Sequence, residues 1–200
     1  MYPEQTIEQN VQAHGRNLMG ISAVVMSLVG AYVLWTLALP WLHPERMDAA
    51  FVLAHYDLVL SDPTALGNAM KAALGITVAI EGLAWLLPLW MLYQLGRCFN
   101  RENALNLATA TAVRRLAHAI VLSVLVLPLA GGFVFAFVQM SANFSGIDIH
   151  PASFGRPWPV YLVELGLGIT LPLVACTCLY SLAWLIQRGA EASDDAKSIV

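Results

Sequence analysis

Residues 18–39 read LMGISAVVMSLVGAYVLWTLAL, an unbroken apolar run without a single charge. At 1.5 Å per helical residue it is about 33 Å long, enough to cross a hydrocarbon core of about 30 Å. It ends in Pro40-Trp41, and tryptophan is enriched where a helix leaves the membrane. Residues 1–17 precede it, and the run is longer than the roughly 7–15 apolar residues of a cleavable signal. It therefore reads as a permanent first helix.

Three further runs of the same kind follow. They cover about 72–95, which contains Glu81, about 116–138, with His118 near its start, and about 160–186, which contains Glu164. Each is long enough to span. The expected fold class is all-α: a polytopic four-transmembrane-helix bundle in one membrane domain, 1–200. Outer loops are expected at 40–71 and 139–159, an inner loop at 96–115, and a cytoplasmic tail at 187–200.

The composition agrees with membrane residence. Hydrophobic residues make up 58% and charged residues 12%, about half the share of a soluble domain. A net charge of -3, with ten basic residues scattered along the chain, leaves no face for nucleic acid. Cys98, Cys176 and Cys178 form no disulfide framework, because two lie in the last apolar run and none in an expected outer segment.

Orientation follows from the basic residues. One side holds Arg16, Arg97, Arg101, Arg114, Arg115, Arg188 and Lys197, and the other holds Arg46, Lys71 and Arg156. The arginine-rich side is expected to be cytoplasmic, which places both termini inside. The outer loops carry patterns of their own. Met47, Ala50, Phe51, Ala54 and Leu58 recur at helical spacing, which predicts a short surface helix over 45–60, stopped by Ser61-Asp62-Pro63-Thr64. The second outer loop ends in the turn Arg156-Pro157-Trp158-Pro159. Leu-Pro-Leu recurs at Pro88, Pro128 and Pro172, expected to kink packing helices or to act as hinges.

Two acidic residues fall within the spans. Glu81 sits about 13 Å from the outer end of its helix, near mid-bilayer. An acidic residue there costs on the order of 2.5–3.5 kcal/mol to insert, less if neutral or paired. Thr77, one turn back, is expected to hydrogen-bond it. Glu164 lies one turn inside the outer end of span four, with Tyr161 and Gly168 on its face. Glu81 and Glu164 are the candidate intramembrane polar site, either for a proton or cation or as a carboxyl group satisfied by a neighbouring helix. His43, His55 and His150 map to outer loops, Asp148 lies near the last, and the spacing matches no metal site. His118 has no histidine partner in another span, so a haem held by two histidines is excluded. No nucleophile, phosphate-binding or zinc motif is present. No catalytic, cofactor or metal residues are assigned, and no enzyme is expected.

The inner loop reads GRCFNRENALNL over 96–107. Gly96 is expected to end span two, Asn100 to cap a short helix starting near Arg101, Glu102 to sit at its positive end, and Phe99 to dock beside the cap. The tail is expected to continue helically, with Leu182, Leu185, Ile186, Gly189, Ala192, Ala196 and Ile199 along one stripe and Glu191, Asp194, Asp195 and Lys197 largely off it.

In these two places the chain resembles a family of bacterial membrane proteins, the domain-of-unknown-function family 2975 (DUF2975). The residues that carry the likeness are Gly96, Phe99, Glu102, Asn103 and Leu107 in the loop, and Ala183, Ala190, Asp194, Asp195, Ile199 and Val200 in the tail. The segment Ser193-Asp194-Asp195-Ala196 departs from the family pattern, which more often has a Glu followed by Asn or Gln. The resemblance implies a bacterial inner-membrane protein, often encoded beside a small helix-turn-helix regulator, and it assigns no reaction. Gly96, Phe99, Glu102 and Asn103 are thus the candidate cytoplasmic motif. The expected function is that of a non-enzymatic signalling or accessory module. It would act through its cytoplasmic loop and tail, in contact with the lipid bilayer, with a protein partner at the cytoplasmic face or as a homo-oligomer, and without nucleic acid. The alternative is a small proton- or cation-coupled transporter using Glu81.

Overall fold

The computed structural model describes residues 3–43, 51–53, 56–60, 67–101, 106–140, 147–151 and 158–198, with side chains described at 9–43, 67–69, 71–73, 75–101, 106–127, 129 and 170–195. The elements run α1 (Pro3–Leu42), β1 (Phe51–Leu53), β2 (Tyr56–Leu60), α2 (Asn68–Arg101), α3 (Leu107–Met140), β3 (Ile147–Pro151) and α4 (Trp158–Ser198). The fold is the expected all-α membrane type. Among the described residues four helices are long and apolar enough to cross a membrane, at Gln9–Leu42, Lys71–Arg101, Leu107–Leu127 and Thr170–Asp195. At 34 to 41 residues each, the helices outrun the hydrocarbon thickness and extend beyond it. The chain stays helical through Pro88 in α2 and Pro172 in α4, so neither proline ends its helix.

The segments expected as outer loops differ from expectation. The 45–60 surface helix is replaced by strands β1 and β2, which join β3 in an antiparallel sheet of order β1-β2-β3. The row Phe51–Leu58–Ile149 alternates with the row Val52–Asp57–His150. Two periodicities coexist in Phe51-Val52-Leu53 and Tyr56-Asp57-Leu58-Val59-Leu60, and β-branched and aromatic residues favour the strand. The alternating segment Ile147-Asp148-Ile149-His150, about ninety residues away, supplies the third strand. The Ser61-Asp62-Pro63-Thr64 stop lies outside the described residues.

The chain divides into two compact units. Unit 1 comprises Met1–Leu28, Leu86–Leu122 and Thr170–Val200, and unit 2 comprises Val29–Trp85 and Ser123–Ile169. The core of unit 1 is Leu95, Ala110, Ala112, Val113, Leu116, Ala183 and Ile186, with Leu18, Met91, Leu92, Cys98, Phe99, Ile120 and Leu179 packed against it. Among the described residues eight of the fourteen buried hydrophobic residues are alanine, since small side chains let helix backbones approach closely where lipid supplies no hydrophobic drive to associate. In unit 2, Val33 fills the space above Gly82 and Leu37 that above Gly75, so α1 and α2 run antiparallel with glycine taking bulky partners. At the end of this unit Lys71 lies over the Trp41 ring, 5.7 Å from its centroid.

Elsewhere large apolar side chains point outward. Leu28, Tyr32, Leu83, Trp85, Leu129 and Leu171 are each more than 60% exposed. In water such a surface drives aggregation. In a bilayer it is the ordinary lipid-facing side of a spanning helix, and the structure is consistent with a multi-pass membrane protein in lipid contact.

Candidate functional site

Glu81 lies in the middle of α2, half-buried, with Oε1 shielded from solvent and without a hydrogen-bond partner among the described residues. The expected Thr77 contact is absent. The Thr77 hydroxyl donates instead to the Ala73 carbonyl, 3.1 Å away, in the same helix. A threonine in a helix satisfies its hydroxyl within its own preceding turn, so the nearer carbonyl wins over a neighbouring carboxyl group. The polar contact that does form close by is between helices: the Ser123 hydroxyl on α3 donates to the Ala84 carbonyl of α2. Glu81 therefore occupies a helix whose neighbouring turns are held to α1 through Gly82 and to α3 through Ala84, with its own oxygen unpaired. Such an oxygen can take a proton, a cation or a donor from another molecule. Glu164 lies on α4, outside the described side chains.

The motif at 96–107 is built differently from its sequence reading. Gly96 does not end α2, which runs on to Arg101. It is a packing residue: a Cβ on Gly96 would stand 2.9 Å from the Gly15 carbonyl oxygen and 3.0 Å from the Met19 backbone nitrogen. The reverse holds for Gly15, whose Cβ would meet the Gly96 oxygen at 2.7 Å and Phe99 Cβ at 2.9 Å. A glycine spent on helix contact keeps its helical conformation, so no left-handed cap forms there. Asn100 is likewise inside α2 and caps nothing. The cap of the next helix is Asn106, whose Oδ1 accepts the Thr109 backbone N–H at 2.7 Å, while its carbonyl accepts Ala110 N–H at 3.1 Å. The separate helix expected from about Arg101 is therefore replaced by the last turn of α2 and the first turn of α3. Phe99 lies inside α2 and is partly buried against the unit 1 core, so it packs as a helix residue and not beside a cap at Asn100. Glu102 and Asn103 lie outside the described residues.

The tail is helical to Ser198, but its buried face shares only Ile186 with the expected stripe, of which Ala196 and Ile199 lie outside the described side chains. Leu182 and Leu185 are 47% and 59% exposed, and Ala192 is exposed as well. The inward face is Leu179, Ala183, Ile186 and Ala190, rotated by about one residue. Large apolar residues mark the inside of a soluble helix. In a membrane they face lipid, and small residues take the contact. Beyond Ala190, residues 191–195 are exposed.

Three side-chain contacts tie α3 to α4 among the described residues of unit 1. The Arg114 guanidinium donates to Gln187 Oε1 at 3.0 Å, and the His118 ring meets Tyr180 edge-on at 5.3 Å, with His118 Nδ1 2.7 Å from the Arg114 carbonyl. Buried Cys176 points its Sγ at the Ala117 carbonyl, 3.5 Å away, and none of the three cysteines is in a disulfide. Among the described residues no three histidine, cysteine or acidic side chains converge on a metal position. In the sheet, His150 pairs with Asp57 two residues from Asp148, and His55 lies outside the described residues. Gly15, Asn106 and Ser123 were not singled out from the sequence. Asn106, just ahead of an alanine- and threonine-rich helix start, was readable as a cap. The other two are defined by their partners on other helices.

No family model, no curated protein and no solved structure matches this chain.

Proposed function

We propose that this chain is a non-enzymatic signalling or accessory protein of a bacterial inner membrane, of the domain-of-unknown-function family 2975 type. Both termini lie in the cytoplasm, and it acts through its cytoplasmic loop and tail. The observation that carries the reading is the course of α4. The helix that crosses the membrane continues without a break to Ser198, and its inward face packs with the ends of α2 and α3 through Leu95, Val113 and Leu116. Displacement of the exposed end therefore bears directly on the packed ends of two other helices. Residues 191–195, which include Glu191, Asp194 and Asp195, are exposed and would offer the surface that a protein partner contacts. Copurification from the native membrane, followed by mass spectrometry, tests this. The full chain retains a partner that a chain ending at Ala190 loses, and identical sets from both overturn it.

A second reading rests on Glu81 Oε1, buried and unpartnered in a helix expected to cross the bilayer. It is a small proton- or cation-coupled carrier, which four spans would build as a homo-oligomer. Chain reconstituted in liposomes then moves protons or a cationic substrate, and Glu81→Gln abolishes the flux. Equal flux in the two forms removes Glu81 from the mechanism.

A further inference from the structure

The surface of the α3–α4 seam in unit 1 combines features that a general lipid-facing helix does not need. Tyr180, Ser181, Trp184 and Leu185 line a shallow, open and largely apolar depression on the surface of α4. Trp184 is 54% exposed, and the Arg188 guanidinium lies over its ring, 5.4 Å from the centroid. Residues 180, 184 and 188 recur every four positions and so share one face. On α3, exposed Arg114 reaches Gln187 next to Arg188, and His118 meets Tyr180 at the edge of the depression. A shallow apolar surface thus adjoins a basic end.

Neither arginine is used up by its neighbours. Arg114 spends one donor on Gln187, and a guanidinium has five. Arg188 faces Glu191 at 3.8 Å, but both side chains are well exposed, and such a pair holds weakly. Arg115, also exposed, follows Arg114 on α3. A planar guanidinium suits phosphate oxygens, and seating it on an indole face orients it. The chemistry that fits is a phosphate monoanion attached to an alkyl chain.

We infer that the α3–α4 seam seats one anionic phospholipid, its phosphate held by Arg114 and Arg188 and an acyl chain laid along Tyr180, Ser181, Trp184 and Leu185. The inference needs a headgroup layer at these helix ends and no partner protein, so it stands or falls separately from the accessory role.

Purified full-length chain in detergent, exposed to phosphatidylglycerol and phosphatidylcholine of identical acyl chains, is examined by native mass spectrometry. Phosphatidylglycerol is retained in preference. Each arginine near a charged headgroup contributes about fivefold, so R114Q with R188Q weakens retention about 25-fold. R16Q with R97Q, which removes the same charge from exposed positions on α1 and α2, leaves it nearly unchanged. E191Q, which removes the counter-charge, raises retention. Should the double variant fail to elute like wild type, R188Q alone carries the test, with about a fivefold loss. Equal retention of the two lipids overturns the inference. So does an equal loss in both double variants, which means diffuse charge instead of a site. Competition by glycerol phosphate as effective as by the lipid also overturns it, since the depression then holds no chain.

Discussion

At the scale of single residues, the two glycines at the α1–α2 contact and the glutamate in α2 make opposite demands. A methyl group on Gly15 or Gly96 would press on backbone atoms at 2.7 to 2.9 Å, and backbone cannot move aside as a flexible side chain can. Gly96→Ala is therefore expected to lower stability by about 1–3 kcal/mol, as overpacking does. Gly20, with nothing within 4 Å of its hypothetical Cβ, should accept alanine without loss. Thermal unfolding in detergent distinguishes them, and a Gly96→Ala protein that melts with wild type would remove the tight crossing. Glu81 is the converse case. Its buried oxygen has no donor, so Glu81→Leu should stabilise the protein by about 1–3 kcal/mol, the usual penalty of an unsatisfied buried group. A lower melting temperature would mean that the carboxyl group is satisfied after all. Glu81 was legible as a lone acid in an apolar run, but Gly15 was not, because only the position of Gly96 on another helix gives it a purpose.

At the scale of elements, the tail of α4 decides how this protein is read. Its inward face is Leu179, Ala183, Ile186 and Ala190, while Leu182 and Leu185 look outward. Ala183 is completely buried, so Ala183→Leu should overpack the unit 1 core and destabilise it by about 1–3 kcal/mol. Leu185→Ala should change little. Denaturation of the two variants side by side checks the rotation of the helix, and the reverse ranking would restore the larger stripe. The same logic explains where sequence patterning misled. Leucines at helical spacing mark a buried face when water is the alternative, and lose that meaning when lipid is. Outside the spans, β1 and β2 were hidden for another reason: their pairing with β3 depends on a segment far along the chain. The helix start at Leu107 needed the choice between Asn100 and Asn106, and the first turn of α3 favours the second, through Thr109.

At the scale of the whole molecule, four long apolar runs were enough to predict four spanning helices, because bilayer thickness sets their length and the backbone leaves no other choice. What the helices do to each other rests on glycine, alanine and serine contacts that leave almost no trace in hydropathy. The central claim joins both levels: four spans with α4 continuing into a tail on the same side as the α2–α3 turn and the N-terminus. Replacing Cys98, Cys176 and Cys178 by alanine and introducing single cysteines at Glu4, Glu45, Asn103, Ala152 and Asp195 makes this measurable with a membrane-impermeant thiol reagent on intact and opened cells. Positions 45 and 152 should be labelled in intact cells, and positions 4, 103 and 195 only after the cells are opened. Labelling of 195 in intact cells, or a split between 103 and 195, would contradict the account.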